Sequence, residues 1–453
     1  MRQFDHLREI FQAALTRIDP FQMMIDHVRL DGDILSVSFD DERHEVDLAA
    51  YDQVLVLGAG KASARMGRAV EDILGERVTR GLISVKYGHA EPLTRITVVE
   101  SGHPTPDENG EGAARSMAEM VRTADEKTLI LNLVSGGGSA LLPCPLVHEG
   151  EGLRLTLADK QNMTRCLLAC GADIGEINCI RKHISGVKGG RLLELMAPAR
   201  SLNFILSDVV GDRLDTIASG LTSGDETTFA DALAIIEKYR IADQAPPEVM
   251  KALSLGAQGR IRETPKPGDP ATTLATNILI GTNQAALLAA CEKARSFGYN
   301  TAALTCALTG ESREAAKFLF GIARDVRKSE MLVKKPACVI AGGETVVTLT
   351  GTGKGGRNQE MALAFLIELA KDEARGADIS FLSASTDGTD GPTDAAGAFA
   401  STQVLDLARQ AGLSLESYLR NSDSYHFFEK IGHLLKTGPT MTNVCDLHML
   451  LIV

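Results

Sequence analysis

A chain of 453 residues is too long for one ordinary hydrophobic core, so two domains are expected. Its net charge of −12 and its lack of Trp argue against nucleic acid as a partner, because an acidic surface repels a polyphosphate and offers few rings for base stacking. No apolar run is long enough to span a bilayer, and the eight cysteines include no C-x-x-C pair, which together read as a cytoplasmic protein with reduced core thiols.

The opening stretch MRQFDHLREIFQAALTRID alternates charged and apolar residues at helical spacing, unlike a signal peptide. LDGDILSVSF and HEVDLAA then alternate as a small β-hairpin. A βα rhythm follows: the strand QVLVLGAG enters the helix KASARMGRAVEDIL, and GLISV and RITVVES are further strands. A helix over 110–124, the strand TLILNLV and the turn SGGGSALL come next. Nearly continuous Val, Leu and Ile in the strands, with amphipathic helices between them, indicate a parallel sheet covered on both faces.

Helices are expected over 158–170 and 176–196, the second broken at SGVKGG, and SLNFILSDVVGD is a strand running into a loop. Pro and Gly density around one short helix makes 243–272 the linker candidate, with part of it open to packing on either domain. The rhythm restarts with strand TLATNILI, helix NQAALLAACEKARSFG, strand NTAALTC and helix SREAAKFLFGIARDV. ACVIAG and TVVTLTG flank GGE as a hairpin. GTGKGGR then leads into the helix NQEMALAFLIELAK, and ISFLSAS into TDGTDGPTDAAG. The expected domains are therefore 1–242 and 273–453.

Ligands of open α/β sheets bind beyond the carboxyl ends of the strands, and the unusual clusters sit there. In LGAGKASARMG, Gly58 and Gly60 let the backbone approach a phosphate, and Lys61 opens the helix against the dipole preference. The motif fails as a dinucleotide fingerprint, because Ser63 stands where the third Gly belongs and no acid ends a strand some twenty residues on. The turn Ser135, Gly136, Gly137, Gly138, Ser139 gives up backbone entropy three times over, which points to phosphate contact. RKHISGVKGGRLLE concentrates Arg181, Lys182, Lys188 and Arg191 in an acidic chain, with Lys188 and Arg191 as binding candidates. Asp208, just past a strand, is a candidate Mg²⁺ ligand. Farther on lie Glu344 in GGET, Arg357 at a helix start after two glycines, Asp387 in STDGTDG and Asn443 in TNVCDL. The Arg357 guanidinium is suited to clamp a phosphate or carboxylate.

Taken together, GAGKA, SGGGSALL, KHISGVKGGRL, LSDVVGD, IASGLTSGD, GGET, GKGGRNQE, STDGTDGPTDAAG and TGPTMTNVCDL resemble the MOFRL-type glycerate kinases, in the family's order along nearly the whole chain. The resemblance implies a Rossmann-like N-terminal domain and a smaller C-terminal α/β domain, with the site in the cleft between them. It implies ATP and Mg²⁺ as cofactors, D-glycerate as acceptor, and Lys61, Glu344, Arg357, Asp387 and Asn443 as functional residues, with Lys61, Arg357 and Asp387 catalytic. The partners implied are small molecules, with no nucleic acid or membrane; a homodimer stays open. The rival reading is an NAD(P)H-dependent hydroxypyruvate reductase, a label that the incomplete fingerprint argues against.

Overall fold

The computed structural model describes residues 2–39, 42–372 and 378–453. The chain forms two compact units, Pro20–Ile280 and Met1–Asp19 with Gly281–Val453.

In the unit Pro20–Ile280, three antiparallel strands, β1 (Val28–Asp31), β2 (Ile34–Phe39) and β3 (Glu42–Asp47), make a small sheet where a two-stranded hairpin was expected. The main sheet comprises β4 (Gln53–Ala59), β5 (Arg80–Lys86), β6 (Ile96–Ser101) and β7 (Thr128–Val134). After two short strands, β8 (Val147–His148) and β9 (Leu153–Arg154), it is completed by β10 (Arg200–Leu206) and β11 (Ala275–Gly281). Their order is β11-β10-β7-β4-β5-β6, with β10, β7, β4, β5 and β6 paired in parallel. Every residue of β7 is buried, as its nearly continuous apolar run requires in a sheet covered on both faces. The helix Ser63–Leu74 packs close because Gly67 has no side chain; a Cβ there would lie 2.7 Å from the Ile83 side chain.

Two expectations about the domain boundaries are corrected. β11 lies beside β10 in this first sheet, so the strand TLATNILI closes the first rhythm and does not open the second. The stretch read as a linker contains the helix Pro247–Ala257, whose Val249, Ala252 and Leu253 join Phe229 and Ile236 in a buried cluster with Ile261. Its prolines and glycines mark turns inside a core.

The other unit carries the mixed sheet β12 (Asn300–Leu308), β13 (Ala337–Gly343), β14 (Ile379–Ser385), β15 (Gly397–Ser401), β16 (Leu434–Leu435) and β17 (Asp446–Ile452), in the order β12-β13-β17-β14-β15-β16. β12 and β13 are parallel, and β17 runs antiparallel to both β13 and β14. The expected hairpin around GGE does not form. Both edges of β13 are already taken by β12 and β17, and the segment after it makes only the single bridge Val346–Glu311. The first nineteen residues also belong here, a further correction. The helix Arg2–Arg17 buries Phe4, Leu7, Ile10, Phe11 and Ala14 against the helix Asn283–Ser296, β14 and β17, with the Phe4 and Phe399 rings 5.0 Å apart. Its amphipathic pattern showed that it covers a core, not which one.

Candidate active site

In the unit Pro20–Ile280, the carboxyl ends of β4, β7 and β10 lie side by side, since Ala59 and Ile205 both pair with Val134. The residues that follow are therefore neighbours: Gly60 and Lys61, the Ser135–Ser139 turn, and Asp208. Lys61 N–H donates to the Gly136 carbonyl at 2.9 Å, and Ala62 N–H to the Ser135 hydroxyl at 3.0 Å, which ties the first turn to the second. Lys61 precedes the helix Ser63–Leu74 by two residues and sits in the turn, so it does not open the helix as expected.

The glycines divide into two kinds. The space over Gly58 is filled by the Leu133 carbonyl and Ile83, and that over Gly60 (φ +147°) by Ser135. A Cβ on Gly138 would meet the Ala59 carbonyl at 2.7 Å. These three bring backbones together; no open space for a ligand lies over them. Gly136 and Gly137 are different. A Cβ on Gly136 would lie 2.2 Å from Asp208 Oδ2, and one on Gly137 would lie 2.9 Å from the His103 ring and 3.6 Å from Lys61 Cγ. Their N–H groups donate to no acceptor among the described residues. Unpartnered peptide N–H groups beside a lysine are suited to bind an anion.

A cavity of about 350 Å³ is lined by Gly137, Ser139, His103 and Asp208 together with Lys160, Arg181 and Lys188. Lys188 Nζ donates to the Leu142 carbonyl at 3.0 Å, and Lys160 Nζ to the Ile184 carbonyl at 3.1 Å. Burial, then the neighbouring cations, holds Lys188 well below the usual lysine range, and burial brings Lys160 down to about 8. Ser139 Oγ is 2.9 Å from Ser219 Oγ, so that hydroxyl is held in the wall.

The other cations of RKHISGVKGGRLLE are placed elsewhere. Lys182 is buried against Asp225 and Asp215, at 3.1 and 3.4 Å. Arg191 donates to the Arg262 carbonyl at 3.0 Å and lines a separate surface groove, so it does not join Lys188 in the cavity.

In the unit that contains Gly281–Val453, Gly343, Asp446 and Ser385 are aligned across β13, β17 and β14. The antiparallel β17 thus presents its first residue at the carboxyl ends of its neighbours, next to Glu344 and Asp387. Arg357, the first residue of the helix Arg357–Lys371, reaches them. Its Nε donates to Asp446 Oδ2 at 2.5 Å, Nη2 to Asp446 Oδ1 at 2.9 Å, and Nη1 to Glu344 Oε1 at 2.5 Å. Burial opposes the charge on Arg357, but Asp446 and Glu344 more than offset it, and its pKa is raised. The expectation of a guanidinium fork presented to a ligand is corrected here: Asp446 takes the fork.

Asp387 is held at Oδ1 by the Ser385 hydroxyl and by the N–H and hydroxyl of Thr389, at 2.9–3.0 Å. Asn443 accepts from Cys445 N–H at 3.2 Å and so shapes the turn into β17. Asp390, fully buried, caps the helix of Arg357 by accepting from Asn358 and Gln359 N–H groups at 3.1 and 2.8 Å, and burial pushes its pKa up to about 7. A Cβ on Gly356 would lie 2.3 Å from the Asp390 carboxyl, which accounts for the last glycine of GKGGR.

Sequence reasoning missed Asp446, Lys160 and His103. A carboxylate opening the otherwise apolar terminal strand was a usable signal for Asp446; a lone Lys on an amphipathic helix gave none for Lys160. Among the described residues, no group of three or more His, Cys, Asp or Glu is placed to hold a metal ion, and no helix is long and apolar enough to cross a membrane.

The profile of a domain of unknown function, DUF4147, matches residues 6–254, and that of the MOFRL family matches 337–446. The chain is 42% identical to a D-glycerate 2-kinase of Thermotoga maritima over 89% of this chain and 91% of that one. It is 38% identical to a glycerate 2-kinase of Pyrococcus horikoshii, over 95% and 93%. A crystal structure of a Thermotoga maritima glycerate kinase superposes with a TM-score of 0.84 at 38% identity, covering 99% of each chain. With two strand-end clusters in the expected motifs and relatives of this similarity over nearly their full length, the chain belongs to the MOFRL-type glycerate kinase family.

Proposed function

We propose that this protein is a glycerate 2-kinase that transfers the terminal phosphoryl group of ATP to the 2-hydroxyl of D-glycerate. The observation that carries the reading is the pair of unpartnered N–H groups at Gly136 and Gly137, set beside Lys61 and Asp208 at the carboxyl end of the parallel sheet. It stands in a chain whose curated relatives bear that name.

A transferring phosphoryl group spreads negative charge over its oxygens, so positioning and cations supply most of the catalysis. Lys61 and the Gly136 and Gly137 N–H groups meet that charge. Asp208 lines the cavity and accepts the proton that leaves the acceptor hydroxyl. Arg357, held by Asp446 in the unit with Gly281–Val453, is a further cation whose guanidinium suits phosphate oxygens. Mg²⁺ is commonly held by one or two carboxylates together with substrate phosphates, and Asp387, fixed at Oδ1 by three donors, is a carboxylate suited to that role. When bound, Mg²⁺ neutralises phosphate charge. We place the enzyme in the cytoplasm, where its eight free cysteines stay reduced.

The reductase reading loses a further support here. In a dinucleotide site the glycine at this turn admits the pyrophosphate, whereas the space over Gly60 is occupied by Ser135. Two assays on the purified protein separate the readings: ADP release with ATP and D-glycerate, and loss of NADH absorbance with hydroxypyruvate. ADP release that depends on glycerate supports the kinase; NADH consumption without it overturns the proposal.

A further inference from the structure

Three basic side chains line the 350 Å³ cavity, and none of them has a carboxylate partner among the described residues. Lys188 and Lys160 are 1% and 7% exposed, and each gives one ammonium hydrogen to a backbone carbonyl, leaving two. Arg181 donates to no group among the described residues, although burial depresses its pKa. Burying positive charges together without a counter-charge is costly unless a ligand supplies one. The contrast lies one residue away, where Lys182 is buried with two carboxylates.

The cavity's form narrows the ligand. At about 350 Å³ it lies at the small end of the ~300–1,000 Å³ range for ligand pockets, and it is too small for a whole nucleotide. Thr164 offers a hydroxyl in the wall, and Ile174, Ile184 and Pro143 make the rest apolar. Gly137, Asp208 and His103 share its lining. A short acid held in it by its carboxylate therefore shares the cavity with the Asp208 carboxylate.

We propose that this cavity is the acceptor subsite, with Arg181 as the two-pronged clamp on the carboxylate of a short 2-hydroxy acid and Lys160 and Lys188 as further N–H donors to it. The proposal rests on the kinase reading for its acceptor. Planar guanidinium matches a carboxylate at two points, which an ammonium does not.

The test uses the full-length protein and its Arg181→Ala, Arg181→Lys and Thr164→Val variants, each checked for folding by circular dichroism. Steady-state kinetics give KM for D-glycerate and for ATP, and calorimetry measures D-glycerate binding with no nucleotide present. We expect Arg181→Ala to raise the D-glycerate KM on the order of 100-fold with the ATP KM within twofold, and to abolish the calorimetric signal. Arg181→Lys should recover part of the loss. If Arg181→Ala does not fold, Arg181→Lys carries the test, with about a tenfold rise in the D-glycerate KM expected. An unchanged D-glycerate KM in a folded Arg181 variant overturns the proposal, as does a raised ATP KM, which assigns the cavity to nucleotide phosphates. Wild-type protein that phosphorylates glycerate without needing Arg181 keeps the kinase reading and removes the subsite. Wild-type protein that binds glycerate through Arg181 but transfers no phosphoryl group removes the kinase reading and keeps the subsite.

Discussion

Arg357 and Asp446 form a two-pronged ion pair, Nε to Oδ2 at 2.5 Å and Nη2 to Oδ1 at 2.9 Å, between the first residue of a helix and the first residue of a strand 89 positions away. Asp446 is fully buried and Arg357 partly exposed, so the carboxylate fixes the guanidinium and leaves its outer edge available. Asp446 is thus a positioning residue. Asp446→Asn is expected to lower kcat about 10–100-fold, with ATP and glycerate KM changed much less, because the aim of Arg357 is lost while the cation remains. Arg357→Lys should show a similar loss, since one ammonium does not span both carboxylate oxygens. Steady-state kinetics on both variants check this.

The Gly136 position yields a prediction in which function and stability separate. Its backbone is not in the left-handed region, and the three atoms nearest to a Cβ there belong to the Asp208 side chain, with Oδ2 at 2.2 Å. Gly136→Ala is therefore expected to push Asp208 aside and to cut kcat by about tenfold or more, while Tm moves by only a few degrees. Activity and thermal melts of the same preparation test it.

Lys182 is the control for its neighbour Arg181. It is buried with Asp225, which also accepts from the Thr227 and Thr264 hydroxyls. Lys182→Met should destabilise the fold by about 3 kcal/mol, because it strands a buried carboxylate, and should leave both KM values near wild type. Urea denaturation and kinetics give the two readouts. A large rise in the glycerate KM would show that Lys182 has been misassigned.

The account also predicts a pH effect on stability. Burial raises the pKa of Glu360 from 4.5 to about 7. A raised folded-state pKa means that the stabilisation tied to the protonated form is complete below the unfolded value and is lost as pH rises through 7. Glu360→Gln, which keeps the neutral shape, should match wild type at pH 4.5 and exceed it by up to about 3 kcal/mol at pH 8. Denaturant midpoints at the two pH values decide it; equal stabilities at pH 8 would show that Glu360 ionises without cost.

How far the sequence reached depended on which forces act locally. β4 and β7 were legible because nearly continuous apolar runs have few alternatives to a doubly covered strand, and the helix beginning at Arg357 because two glycines precede a long apolar pattern. The placement of residues 2–17 and of β11 was not, since an amphipathic face or an apolar strand does not say which sheet it joins. The proline- and glycine-rich stretch misled for a related reason: Gly256 lies against the Phe229 ring, a packing role that looks like linker composition. In the candidate site, motif residues such as Lys61 and Asp208 came together at strand ends because topology puts them there. Gly58 and Gly60 proved to be packing positions, and Asp446 escaped notice because an antiparallel strand brings its beginning, not its end, to the site.

The central claim is that Lys61 and the Gly136–Gly137 turn stabilise a phosphoryl group in transit to glycerate. It is tested most directly by incubating wild type and Lys61→Met with ATP, Mg²⁺ and D-glycerate and following the product by phosphorus–proton correlation NMR. The account predicts phosphate on C2 for wild type and a rate lowered by about a hundredfold or more in a folded Lys61→Met. Phosphorylation at equal rates in the two proteins, or no transfer by wild type, would contradict it.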